Sequence, residues 1–175
     1  TNWEIIIVDA SENDRCARIC KKFDLKDKLI FNKSFKKKGL AYDRLIGIKN
    51  ARGKYVSFLD SDDIWLPQKL TTQICTLVAT GFAACHCSYI RIDKNGNSLK
   101  SVNVLERVSF RQQLMSNRIP NLTGVYDRSK VGLILQDNVG HEDYDMWLKI
   151  LCKTDSIGVI KPLAKYRVLS DSLSS

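Results

Sequence analysis

Two short apolar runs constrain this chain more than any other feature. Trp3 to Val8 is largely β-branched and ends at Asp9, and Tyr55 to Leu59 repeats the pattern and ends at Asp60, the signature of strands buried on both faces. Between them lie two stretches with helical spacing. Cys16, Ile19, Cys20 and Phe23 follow a Ser-Glu-Asn-Asp turn, and Leu40 to Asn50 carries Ala41, Leu45 and Ile48 on one stripe, with Gly53 placed to end it. Strand, helix, connection, helix and strand in that order require crossover connections, and hence an α/β fold with a largely parallel sheet flanked by helices.

The remainder continues the alternation. Pro67 opens a third helix whose stripe is Leu70, Ile74, Leu77 and Val78 and whose stop is Gly81. A strand from Phe82 to Ile92 is turned by Lys94-Asn95-Gly96-Asn97, and Ser109 with Gln112 forms a capping-box pattern for a short helix through Met115. A helix from about Glu142 presents Tyr144, Trp147, Leu148 and Leu151 inward, and strand structure covers Ser156 to Val168. Trp65 and Trp147 read as packing residues. Neither an internal repeat nor a low-complexity linker is present, so residues 1–175 predict one domain.

Charge and cysteine usage narrow the class. The formal charge is +9, densest at Lys21-Lys22 and Lys36-Lys37-Lys38, which suits nucleotide phosphates, nucleic acid or an anionic membrane surface equally well. Basic and aromatic residues are not interleaved as in single-strand binders, and no recognition helix is legible, so nucleic acid is not an expected partner. Of the six cysteines, Cys16, Cys20, Cys75 and Cys152 fall at apolar positions of expected helices, which predicts free thiols and a reducing cytoplasm. Cys85-His86-Cys87 sits in an expected strand, where neighbours face opposite ways, and no second ligand pair stands at zinc spacing. No apolar run approaches the length that crosses a bilayer.

Phe58-Leu59-Asp60-Ser61-Asp62-Asp63 is the strongest local signal. Three carboxylates follow a strand directly, where ligands bind in open α/β sheets. Carboxylates so crowded repel one another, and a hard divalent cation among them favours their ionised forms. Mg²⁺ or Mn²⁺ held there would also grip a diphosphate. An acidic turn capping the next helix is the plainer alternative for these residues taken alone.

The wider context resembles the family 2 glycosyltransferases of GT-A fold. The resemblance is carried by Gly39 to Ile48, by Ala51 to Asp63, by Ile64-Trp65-Leu66-Pro67-Gln68-Lys69-Leu70, by His141-Glu142-Asp143-Tyr144-Asp145-Met146-Trp147 and by Tyr166-Arg167-Val168. It implies a GT-A (Rossmann-like) fold and inverting transfer of a sugar from a nucleoside diphosphate donor, with a UDP-sugar foremost. The acceptor would be a glycan or a lipid-linked hydroxyl, as in cell-surface polysaccharide synthesis at the inner face of a membrane. By the same resemblance Asp60 and Asp62 hold the metal and the donor, with Asp62 the direct ligand of Mn²⁺ or Mg²⁺. Asp143 takes the acceptor proton, with Glu142 in reserve; Asp9 recognises the nucleotide base, Asp14 closes its turn, and Arg44 faces the diphosphate or forms a salt bridge. Residues 1–93 would be the nucleotide-sugar part, and residues 94–175 the acceptor side with the base.

The chain departs from the family pattern in places. Ala10 stands where a second acid is usual, Leu45 where an asparagine is usual, and Leu169 where a histidine often completes the metal site. The family's opening strand and helix lie upstream of the part matching Trp3 to Val8, so the reading is of a fragment whose first strand is missing. Two alternatives stay open: a catalytically impaired member serving as a partner subunit, and a basic nucleic-acid-binding module.

Overall fold

The computed structural model describes residues 2–23, 25–34, 39–137 and 140–169, so the Lys36-Lys37-Lys38 run lies outside the described residues. The Ile5-Ile6-Ile7-Val8 run forms strand β1 (Ile5–Asp9), followed by helix α1 (Arg15–Cys20) and strand β2 (Leu29–Lys33), which pairs parallel to β1 with Ile7 opposite Phe31. Helix α2 (Leu40–Asn50) leads to strand β3 (Tyr55–Val56), and strand β4 (Ile64–Trp65) leads to helix α3 (Lys69–Thr80). Then come β5 (Ala84–Ile92), β6 (Ser98–Val102), β7 (Arg107–Val108), helix α4 (Phe110–Met115), β8 (Val125–Asp127), helices α5 (Arg128–Val131) and α6 (Glu142–Leu151), and β9 (Ser156–Arg167).

The architecture is α/β, but the sheet is mixed rather than mostly parallel. Strands β3, β8, β5, β9 and β4 lie side by side in that order, with β6 on β5 and β7 on β9. Of these ladders only β5 with β9 is parallel; the others, formed by hairpins and returning segments, are antiparallel. The alternation of strands and helices governs the first third of the chain, whereas the later strands return without intervening helices. Among the described residues β1 and β2 form a separate two-stranded sheet. The expectation that β1 is buried on both faces fails accordingly: Ile5 is exposed.

Several helix details differ from the periodicity reading for identifiable reasons. α2 ends at Ala51 in extended backbone rather than at Gly53. The Arg52 and Gly53 amides instead donate to the Glu4 carboxylate, at 2.7 and 2.8 Å. α3 ends on Gly81 in the left-handed region, as its position predicts. Its buried face is Lys69, Gln73 and Leu77, one residue off the expected stripe, leaving Leu70 and Val78 exposed. Polar residues occupy that face because their tips find partners. Gln73 donates to the Thr123 carbonyl at 2.9 Å, and the Lys69 ammonium lies 4.3 Å from the centre of the Trp65 ring and 3.3 Å from Ser57 Oγ. Burial pulls the Lys69 amine down to about 8.

The main core lies where α6 covers the sheet. Met146, Trp147, Ile150 and Leu151 are its buried residues, packed with Tyr126, Ala84 and Ile119. Tyr144 and Leu148 sit at the edge of that face, and the Tyr144 hydroxyl donates to the Leu114 carbonyl. The capping box of α4 forms as read, with Ser109 and Gln112 exchanging bonds. All six cysteines are free, but Cys75 and Cys152 face outward rather than inward.

The Cys85-His86-Cys87 triplet is buried in β5 and serves packing. His86 Nε2 donates to the Leu105 carbonyl at 3.0 Å, so Nδ1 accepts from the Ser156 hydroxyl at 2.8 Å. Burial holds the imidazole neutral, lowering its pKa from 6.5 to about 4, against the Leu105 bond, which raises it. Between those values the unfolded chain binds the extra proton. The contribution of His86 to stability is therefore complete above about pH 6.5 and is lost as the pH falls towards 4. Urea unfolding of the wild type and of His86→Gln at pH 7 and pH 4.5 checks this; the substituted chain should lose less on acidification.

Candidate active site

Beyond β3 the chain turns sharply, with the Asp63 amide donating to the Asp60 carbonyl at 3.1 Å. The three acids of this turn have distinct surroundings. Asp60 gives both carboxylate oxygens to Arg44 Nη2 of α2, at 2.7 and 3.0 Å. Arg44 Nη1 donates to Gln136 Oε1 at 3.3 Å, and Gln136 Nε2 lies 3.1 Å from Met146 Sδ. A continuous line of contacts thus runs from the acidic turn to α6. Asp63 is half-buried and accepts the Arg167 amide at 2.8 Å. Burial pushes its carboxyl up to about 6, and the neighbouring Asp62 and Asp60 charges add to that against the Arg167 amide. Asp62 is exposed, and among the described residues its carboxylate makes no hydrogen bond or ion pair.

Asp9 lies at the end of β1, where the chain turns into α1. Its carboxylate accepts from the Ser11 amide at 2.9 Å and from Lys33 Nζ at 3.0 Å. Burial alone would raise its pKa, but the Ser11 bonds and the Lys33 ammonium hold it below the usual carboxylate range. Asp9 and Ser61 line one cavity of about 670 Å³, whose walls include Ile5, Ile7, Ile19 and Phe23. Asp14 occupies the cap position of α1 without a side-chain bond; Asn13 Oδ1 accepts the Arg15 amide instead.

Glu142 and Asp143 stand half-buried in the first turn of α6, where negative charge complements the helix dipole. Asp145 pairs with Lys149, which also reaches Asp137, so it fastens the helix to the preceding segment. Two residues of the site escaped sequence reasoning. Gln136 lies in a stretch without a readable pattern, while Arg167 belongs to a noted motif but carried no assigned role.

Among the described residues no three His, Cys, Asp or Glu side chains converge into a ready-made cation cage. Mg²⁺ and Mn²⁺ with a diphosphate require less, since one or two carboxylates suffice when phosphates and water complete the shell. The unpaired Asp62 meets that requirement, whereas Asp60 is engaged by Arg44. The donor set fits a cation that arrives with its diphosphate.

An α/β fold with an acidic turn in the connection after a strand is compatible with the GT-A fold, and a solved structure matches it. The chain superposes on Staphylococcus aureus TarS 1–349 in complex with UDP-GlcNAc with a TM-score of 0.79, at 18% identity, over 98% of this chain and 52% of that one. Residues 1–133 match the profile of glycosyl transferase family 2, and the chain belongs to that family. It is 32% identical over 178 residues to the UDP-Glc:alpha-D-GlcNAc-diphosphoundecaprenol beta-1,3-glucosyltransferase WfgD of Escherichia coli, covering 99% of this chain and 69% of that protein. It is 33% identical over 174 residues to an uncharacterized glycosyltransferase of Rickettsia conorii, covering 95% of this chain and 28% of that protein. The chain thus spans under a third of one relative, about two thirds of the other and about half of TarS 1–349. No helix among the described residues is long and apolar enough to cross a membrane.

Proposed function

We propose that this chain carries the catalytic site of an inverting, cation-dependent transferase that moves a sugar from a UDP-sugar to a hydroxyl of a glycan or of a lipid-linked acceptor. The observation that carries this reading is the acidic turn. Arg44 and Arg167 hold it from two sides, and one carboxylate, Asp62, is left unpaired among the described residues in the connection from β3 to β4. Residues 1–93 form the donor side and residues 94–175 the acceptor side. The E. coli relative, by its name, takes UDP-Glc and builds on a diphosphoundecaprenol-linked sugar, which supports a similar acceptor at a membrane surface here.

In this mechanism Asp9 fixes the base of the nucleotide, and Asp62, with Asp60 beside it, would hold the cation that meets the diphosphate end. Mn²⁺ or Mg²⁺ held there would supply positive charge against the leaving diphosphate. Asp143 accepts the proton of the acceptor hydroxyl, with Glu142 as the second candidate. The hydroxyl oxygen then forms its bond to the anomeric carbon from the face opposite the breaking carbon–oxygen bond. The diphosphate leaves with that electron pair, and the configuration inverts. Arg44 keeps Asp60 in place and links the turn to α6, so the donor and acceptor halves share one support.

The test is a transfer assay with a panel of nucleotide sugars and a lipid-linked sugar acceptor, with Mn²⁺ or with a chelator. Turnover with one UDP-sugar that the chelator abolishes is the expected result. Undiminished turnover with the chelator present would remove the cation from the reading, and the absence of turnover with every donor would favour the partner-subunit alternative, which Leu169 motivates.

A further inference from the structure

The Tyr166-Arg167-Val168 motif has no part in the chemistry above, yet Arg167 bonds two residues of the acidic turn, Asp62 and Asp63. It stands at the end of β9, parallel to β5 and opposite Ile92. Its backbone amide donates to Asp63 Oδ1 at 2.8 Å, and its Nε donates to the Asp62 carbonyl at 2.8 Å. Its Nη1 donates to two further carbonyls, Asp93 at 2.9 Å and Lys94 at 3.1 Å, in the turn joining β5 to β6. That second turn is itself tied by hydrogen bonds. The Asp93 carboxylate accepts from the Asn95 and Asn97 amides at 2.8 and 2.9 Å and from the Asn97 side chain at 2.9 Å. Among the described residues no carboxylate pairs with the Arg167 guanidinium, and its hydrogen-bond partners are backbone carbonyls.

A guanidinium used this way acts as a spacer. Its planar fork spans acceptors on two chain segments at once, a geometry that an ammonium on a flexible stem does not reproduce. Charge-assisted bonds to carbonyls are among the stronger hydrogen bonds available. The segment it fixes is the backbone of Asp62 itself. Fixing that carbonyl and the following carboxylate fixes the main chain that carries the exposed Asp62 side chain.

We infer that Arg167 is a positioning residue that clamps the acidic turn onto the β5–β6 turn and so presents the Asp62 carboxylate to the cation and diphosphate. This rests on the donor reading given above. It predicts a defect in the cation-dependent part of nucleotide binding, because the guanidinium bonds the acidic turn and the β5–β6 turn at the surface rather than filling the core.

Calorimetric titration of UDP into the chain, with and without Mn²⁺, tests it alongside thermal melts. Arg167→Ala should weaken Mn²⁺-dependent UDP binding by roughly tenfold or more, leave Mn²⁺-free binding unchanged and shift the melt little. Arg167→Lys should recover only part of the loss, since it keeps the charge but cannot span both turns. If Arg167→Ala fails to fold, Arg167→Lys decides: wild-type enhancement by Mn²⁺ would overturn the clamp. Equal loss with and without Mn²⁺ would overturn it as well, since that is what a merely structural role gives. Asp62→Ala, run in parallel, reads the donor assignment by itself. If that variant loses the Mn²⁺ effect while Arg167→Ala keeps it, the clamp is wrong and the donor reading stands. If Asp62→Ala keeps it, both fall.

Discussion

Asparagine in place of Asp143 is expected to lower transfer by roughly a hundredfold to ten-thousandfold while leaving UDP affinity nearly unchanged. That range is the usual contribution of a positioned general base. The amide keeps the size and one acceptor oxygen of the carboxylate but cannot take a proton at neutral pH, so the acceptor hydroxyl must attack without losing one. Donor binding should survive because Asp143 lies on α6, whereas the acids proposed for the diphosphate lie in the turn after β3. Steady-state kinetics with saturating donor and calorimetry with UDP separate the two effects. A variant with wild-type kcat would transfer the base assignment to Glu142, for which the Glu142→Gln exchange is the matching measurement.

A large effect on stability is expected at Gly124. Its backbone is extended, so alanine meets no conformational objection there. The obstacle is contact: a Cβ on Gly124 would stand 1.8 Å from Cζ2 of Trp147, whose ring is fully buried. Trp147 cannot swing away without emptying the centre of the core between α6 and the sheet. The Gly124 carbonyl is meanwhile held by the Ser57 hydroxyl, so the turn resists moving as well. Gly124→Ala should therefore cost about 3 kcal/mol, which corresponds to roughly 6–12 °C in Tm for a chain of this size. Thermal and urea unfolding would check it, and a companion Trp147→Phe in the alanine background should restore part of the loss if ring contact is the cause.

The residues that specify the fold were legible where a local rule decided them. Gly81 ends α3 in the left-handed region because no Cβ opposes it, and Ser109 with Gln112 caps α4 because the spacing lets each reach the other's amide. Legibility fails where partners come from distant parts of the chain. Lys69 and Gln73 lie inward because Trp65, Ser57 and the Thr123 carbonyl await them, and no helical period contains that information. The parallel sheet inferred from the first third met returning strands that periodicity cannot orient. At the site the same division holds. The acids announce themselves by crowding, and the Asp9 turn by its position after a strand. The assignment of Asp60 to Arg44, and of the Asp62 backbone to Arg167, depends on contacts across 16 and 105 residues, which spacing alone does not encode.

The Glu4 carboxylate joins two parts of the chain that are far apart in sequence. It accepts the Arg52 and Gly53 amides, 48 and 49 residues away, where α2 has just ended and β3 is about to begin. Two main-chain donors thus share one acceptor, so its loss strands both at once. Amide hydrogen exchange at Arg52 and Gly53 should therefore quicken in a Glu4→Ala chain while the amides of β5 and β9 keep their protection.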